Sequence, residues 1–186
     1  MSKEKFNFKT NLHMIAGTND LRPIMHYIYF KDGYAWVTDA HVLIKQHLDH
    51  HKVLNPENLN GKAIHRRVFQ MVKQKFEVVT ATEEGLRCAD SFGNKVLFNY
   101  ANTESGDADF NFVHNMETIF PKTEPAEVSQ IGMNLNILNR LRKGMVLSDI
   151  GCKFQFYGKN RAILITSMGI DKQTGIIMPV MISGDE

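Results

Sequence analysis

One amphipathic helix followed by three short strands, with turn residues between the strands, occurs twice in this chain. From Lys62 to Gln74, Ile64, Val68, Met71 and Val72 recur at the spacing of one helix face. Strands are then expected over Phe76–Ala81, Leu86–Ala89 and Lys95–Tyr100, divided by Glu83-Glu84-Gly85 and Ser91-Phe92-Gly93-Asn94. The order returns at Asn134, whose side-chain oxygen can cap a helix. Ile137, Leu138, Leu141 and Met145 form the apolar stripe of that helix. Three more strands are expected over Lys153–Tyr157, Arg161–Thr166 and Ile176–Ile182. A strand leads into the second repeat over Ala126–Met133. Units of this kind bury one sheet face under helices, which predicts an α+β fold with antiparallel sheets and helices on one face.

The N-terminal part reads as a third copy. Its leading strand is expected over Lys5–Lys9, where Phe6 and Phe8 alternate onto one face as core, and its helix is a short remnant around Asn11–Gly17. Ile24–Phe30 and Tyr34–Thr38 flank Lys31-Asp32-Gly33, a strong hairpin signal because Gly adopts positive φ without steric cost. Val42–Lys45 supplies a third strand. Asn102–Asp109 is polar and Gly-containing, so it reads as a loop. Residues 110–126 hold Pro121 and Pro125 and read as an extended connector.

Composition narrows the function classes. Lys and Arg number 22 against 20 Asp and Glu, a net charge of +2, so any nucleic-acid contact must come from local charge placement. The two cysteines, Cys88 and Cys152, form no CxxC pattern, which favours a reducing, cytoplasmic setting over a disulfide scaffold. Met1 to Lys5 leads into no apolar run, so no secretory signal is expected. No stretch approaches the roughly 20 apolar residues of a membrane span, so no membrane partner is expected.

Three segments stand out together: Thr38-Asp39-Ala40-His41-Val42-Leu43 after a hairpin strand, Ile131-Gly132-Met133-Asn134 before a Leu-rich helix, and Ile177-Met178-Pro179-Val180-Met181-Ile182. In combination they resemble bacterial DNA polymerase III β sliding clamps. Thr38-Asp39-Ala40-His41-Val42-Leu43 resembles their Thr-Asp-Gly-His-Arg-Leu segment. Ile131-Gly132-Met133-Asn134 with the following Leu-rich helix resembles the IGFN helix of the last clamp domain. Ile177-Met178-Pro179-Val180-Met181-Ile182 resembles the terminal VVMPMRL, and Phe120-Pro121 stands where clamps carry a domain-ending VIP. The matches occur in the family's order. The chain has about half a clamp subunit's length, Ala40 replaces a Gly and Val42 an Arg. The resemblance implies a clamp-like domain over 1–120, made of two units with the first helix shortened. A second clamp-like unit or half domain follows over 121–186.

It also implies a function. A clamp acts by topology: helices line a hole through which duplex DNA slides, and their cations meet phosphates without reading sequence. The residues opposite the apolar stripes are then expected to face DNA. These are Lys62, Arg66, Gln70 and Lys73 on the first helix, and Asn136, Asn139, Arg140 and Lys143 on the second. Arg67 and Phe69 fit neither face, and Phe69 is assigned to a contact with a neighbouring subunit. Polymerase or clamp-loader peptides are expected in a hydrophobic groove walled by Thr38, Ala40, His41 and Leu43 with Met178, Pro179, Val180 and Met181. Met suits such a rim because it adapts to varied ligands. A chain this short closes no ring alone, so a homo-oligomer is expected: four subunits if each carries three of about twelve units, three if each carries four.

No chemistry competes strongly with this reading, and neither cofactor, metal nor catalytic residue is assigned. His47, His50 and His51 lie near Asp49, but at no recognised metal-ligand spacing. Cys88 has no base partner in view and reads as a buried, inert strand cysteine. The alternative function is a clamp-fold protein-interaction module that binds no DNA.

Overall fold

The computed structural model describes residues 5–102 and 108–181. The first hairpin joins β1 (Tyr27–Lys31) to β2 (Tyr34–Thr38). Its turn puts Asp32 at φ 52° and Gly33 at φ 78°, matching the twist of the flanking strands. β3 (Val42–His47) continues the meander, and β4 (Lys62–His65) pairs on the other side of β1. Helix α1 (Arg66–Lys75) leads to β5 (Val78–Ala81), β6 (Gly85–Ala89) and β7 (Lys95–Asn99). Helix α2 (Asn111–Thr118) and helix α3 (Leu135–Gly144) precede β8 (Cys152–Gln155), β9 (Ile163–Ser167) and β10 (Gln173–Ile177).

All strand pairs are antiparallel. They form a seven-stranded sheet in the order β4-β1-β2-β3-β10-β9-β8 and a three-stranded sheet β5-β6-β7. The larger sheet therefore draws strands from both sides of position 120. β3 meets β10 with Ile44 opposite Gly175 and Val42 opposite Ile177.

Strand alternation sorts the core onto two faces. Ile28, Phe30, Ala35, Val37, Val42 and Ile44 face α1 and α3. Tyr29, Trp36, Leu43, Ala63 and Ile176 face the other way, under Val113 and Met116 of α2. α2 falls where the sequence reading placed an extended connector. It is held by Lys31, whose Nζ lies 2.9 Å from Glu117 Oε1, and by Phe120 edge-on to Trp36 at 5.9 Å.

The first expected helix starts four residues late. Lys62 to His65 pair with β1, and the His65 imidazole then accepts from the Arg67 N–H to cap α1. The buried residues of α1 are Phe69 and Val72, with Val68 packed half-buried against the same core; Val68 and Val72 belong to the expected stripe, and Phe69 does not. Phe69 is fully buried and stacks 4.3 Å from Phe8, which overturns its assignment to a subunit contact. Phe8 is core as expected, whereas Phe6 is 40 % exposed and makes only a single bridge to Val78. The shortened first helix is one 3-10 turn, Leu12–Met14.

The leading strand expected over Ala126–Met133 reduces to a bridge between Gly132 and Val180. β10 begins three residues before the expected start because buried Gln173 finds partners there. Gln46 donates to Gln173 Oε1 at 2.9 Å, the Val146 N–H donates to the same oxygen at 3.0 Å, and the Thr10 hydroxyl donates to Gln46 at 2.7 Å. Ile182 lies outside the described residues.

Two histidines sit inside this core. Burial holds His51 down to about 3, helped by His50, Lys73 and Lys9. Burial also holds His13 down to about 4, with Lys73 and Arg66 adding repulsion. Unfolded, both titrate near 6.5. Above that pH both are neutral in either state. Below it the unfolded chain takes up protons the folded chain refuses, so stability falls as pH drops from about 6.5 toward 4. The slope reaches at most about 1.4 kcal/mol per pH unit for each histidine. Urea unfolding at pH 7.5, 6 and 5 is expected to show this loss, and His13→Leu to make it shallower.

Candidate nucleic-acid interface and partner groove

The α1 segment reads RRVFQMVKQK and the α3 segment LNILNRLRKG; neither holds an acid. α1 carries Arg66, Arg67, Lys73 and Lys75, and α3 carries Arg140, Arg142 and Lys143. Both helices lie on the same face of the large sheet with Leu12–Met14 between them. The Asn134 side chain caps α3 by accepting from the Asn136 N–H at 2.9 Å. At Gly144 an added Cβ would lie 2.5 Å from Ile44 Cδ1 and 2.7 Å from Ile15 Cγ1. That close approach fixes the end of α3 against the sheet.

The expected DNA-facing residues fall into three groups. Asn136, Asn139 and Lys143 are exposed on α3. Arg66, Gln70, Lys73 and Arg140 are half-buried. Arg66 Nε points at the His13 carbonyl 3.4 Å away, and Arg140 forms an ion pair with Asp39. Lys62 is on strand β4 rather than a helix, with Nζ 5.5 Å from the centre of the Tyr100 ring. The later start of α1 turns Arg67, Gln74 and Lys75 fully outward, and Arg142 is exposed on α3. Sequence reasoning missed these cations. The signal was Phe69: placing that aromatic in the core rotates the helix and brings Arg67 to the surface.

The field over this layer is positive. Burial with the charge of Arg67 lowers Arg66, and burial with Lys9 and Lys5 lowers Lys73. Like charges crowd here without a carboxylate among the described ion pairs except Asp39.

The groove segments meet at one point, where the Met178 N–H donates to the His41 carbonyl at 3.0 Å. Met178, Val180 and Met181 are 38 %, 43 % and 81 % exposed, and Pro179 is half-buried. His41 and Ala40 reach the surface, while Thr38 and Leu43 are buried beneath them. The Thr38 hydroxyl is already engaged. It donates to the Val42 carbonyl at 2.6 Å and accepts from the Ala40 N–H at 3.1 Å. A cavity of ≈ 390 Å³ is lined by Asp39, Ala40 and His41 and by none of Met178 to Met181; its other walls include Asn19, Arg22 and Met25. The last three are additions from the tertiary structure; nothing in their own sequence context marks them.

The histidine cluster disperses. His47 Nδ1 lies 3.1 Å from Asp49, which also pairs with Lys172 at 2.8 Å. His50 Nε2 contacts the Asp171 carbonyl at 2.8 Å, and buried His51 accepts from the Lys9 N–H at 3.1 Å. Among the described residues no three ligating side chains converge on a metal-sized site. Cys88 is buried, and burial pushes its thiol up to about 12, so it holds little thiolate at neutral pH. No helix among the described residues is long and apolar enough to cross a membrane.

Solved structures share this arrangement of sheets and helices over nearly all of the chain. The β subunit of DNA polymerase III from Borrelia burgdorferi, in complex with a natural product, superposes with a TM-score of 0.57 at 11% identity. That match covers 97% of this chain and 63% of the other. The chain has the sliding-clamp fold. The DNA polymerase sliding clamp from Caulobacter crescentus matches with a TM-score of 0.53 at 13% identity, covering 92% of this chain and 63% of the clamp. The griselimycin-bound sliding clamp from Bartonella birtlesii gives 0.52 at 14%, with the same coverage. This chain thus spans under two thirds of the clamps it matches. No protein-family model and no curated protein matches it in sequence.

Ala40 occupies φ 78°, the left-handed region that costs an L-residue roughly 1–2 kcal/mol. Glycine removes that cost but loses about 0.4–1 kcal/mol through greater freedom of the unfolded chain. Ala40→Gly is therefore expected to leave stability unchanged or raise it by up to about 1.6 kcal/mol. Denaturant midpoints of the two proteins check this.

Proposed function

We propose that this chain is a non-catalytic, sliding-clamp-like accessory of DNA replication. It acts as a homo-oligomer whose α1–α3 layer holds duplex DNA without reading sequence. The observation that carries this reading is that layer: two helices without an acid, on one sheet face either side of the Leu12–Met14 turn, in a chain of nearly balanced charge. At the chain's mean acid content, 20 in 186, two ten-residue helices would carry about two carboxylates, and these carry none. Arg67, Lys75, Arg142 and Lys143 meet phosphates, and Asn136 and Asn139 add hydrogen bonds. Arg66, Lys73 and Arg140 stand behind them and strengthen the field, and Lys62 and Gln70 flank the layer.

A second surface receives partner peptides. His41, Ala40, Met178, Pro179, Val180 and Met181 form its wall, with Thr38 and Leu43 supporting it from below. Exposed methionines around a short apolar wall fit polymerase or clamp-loader peptides of varied sequence. In this reading residues 1–120 are the clamp-like domain of two units and 121–186 a second clamp-like unit or half domain.

Two measurements test these surfaces separately. Retention on circular duplex DNA is expected to fall steeply with added salt. The variant Arg67→Ala/Lys75→Ala/Arg142→Ala/Lys143→Ala is expected to lose retention and flatten the salt slope by about 1 for each phosphate contact removed. Unchanged retention removes the DNA reading and leaves a clamp-fold interaction module. Met181→Asp is expected to weaken partner-peptide binding at least ~10-fold, about 1.4 kcal/mol, without changing DNA retention. Equal peptide affinity of both proteins discards the groove.

A further inference from the structure

Three blocks of one design make up the described chain: β1–β3, β5–β7 and β8–β10, each with a helix or, in the first block, the 3-10 turn Leu12–Met14. Two kinds of junction join them. At one, the last strand of one block pairs antiparallel with the last strand of another, as β3 of the first block does with β10 of the third. At the other, a strand leading into one block pairs with the first strand of its sister. β4 does this to β1, while α1 packs beside the 3-10 turn.

Each end of this series stops short. β7 is a last strand, and its outer side has no strand partner among the described residues. It nevertheless exposes Val96 and Leu97 at 41 % and 44 %. β8 is a first strand and likewise ends its sheet. Beside it a cavity of ≈ 460 Å³ opens along α3, lined by Leu135, Leu138, Met145, Leu147 and Phe154. Leu135 is 74 % exposed and Leu147 40 %. Open strand edges with bare apolar side chains are normally charged, shortened or covered.

We propose that second copies of this chain fill both ends by repeating the junctions the chain already contains. β7 pairs with β7 of one copy, as β3 pairs with β10. The third block docks on the third block of another copy, with the two α3 helices side by side. The segment before each α3, around Gly132, then lies against β8 of the other copy, as β4 lies against β1. Both contacts are self-complementary two-folds, so a closed ring must alternate them and contain an even number of chains. Three chains would need β7 to meet β8, a last strand against a first, a junction found nowhere among the described residues. The copy number rests on the ring proposed above: four chains supply the roughly twelve blocks of such a ring.

Light scattering on the eluting full-length chain tests this. The wild type is expected at four times the 21.3 kDa chain mass. Leu135→Glu and Leu97→Glu, both at exposed positions, are each expected to give twice the chain mass, and the double variant the monomer. A wild-type chain of any other mass, or a single variant that stays tetrameric, overturns the proposal. The wild-type mass decides even where a variant fails to fold. DNA retention separates this outcome from the functional reading. A tetramer that retains no duplex keeps the assembly and removes the DNA role, and a monomer that binds duplex does the reverse.

Discussion

The pairing of β3 with β10 is the contact on which the rest of the structure depends. It joins residues more than a hundred positions apart into one sheet, and it carries the polar chain Thr10–Gln46–Gln173–Val146 through the core. A buried amide left unpaired costs about 1–3 kcal/mol; the Gln46 NH2 group avoids that cost through Gln173, while Gln173 is also held by the backbone of Val146. The pairing also permits the closest helix approach. Gly175 lies under Leu141 and Gly144 lies against Ile44, with no room for a Cβ at either position. Glycine and glutamine, poor strand-core residues in isolation, are what hold the last block to the first.

That contact sets the electrostatics of the α1–α3 face. Because β10 lies beside β3, α3 is brought onto the same sheet face as α1, and the cations of two distant segments share one layer. Arg140 reaches Asp39 at the β2–β3 turn, so one of these cations is spent on orientation while Arg142 and Lys143 stay free. The same junction delivers Met178 to His41, placing the apolar terminal segment at the edge of the helix layer. The proposed DNA face and the proposed partner groove are thus both consequences of one strand pair.

Legibility varied with the range of the forces involved. The β1–β2 hairpin was plain because Asp32-Gly33 accepts positive φ whatever surrounds it. The α3 helix was plain because Asn134 caps it locally and its apolar stripe has a single phase. α1 was misphased because Ile64 satisfies a helical period and a strand equally well. Pairing with β1 decided for the strand, and Phe69 then turned inward. α2 was missed because two prolines nearby masked a short helix whose stability comes from Trp36 and Lys31, far away in sequence. β10 was placed late because Gln173 looks like a turn residue until Gln46 is opposite it.

The sequence by itself determined the local grammar: three blocks of strands and turns, two helices free of acids, and segments whose order matches the clamps. Those features depend on backbone preferences and spacing within a few residues. Only the tertiary structure decided which cations face solvent, which groove residues reach the surface, and which two strand edges remain open. Each of those outcomes depends on what a residue packs against, and that neighbour lies tens of residues or more along the chain.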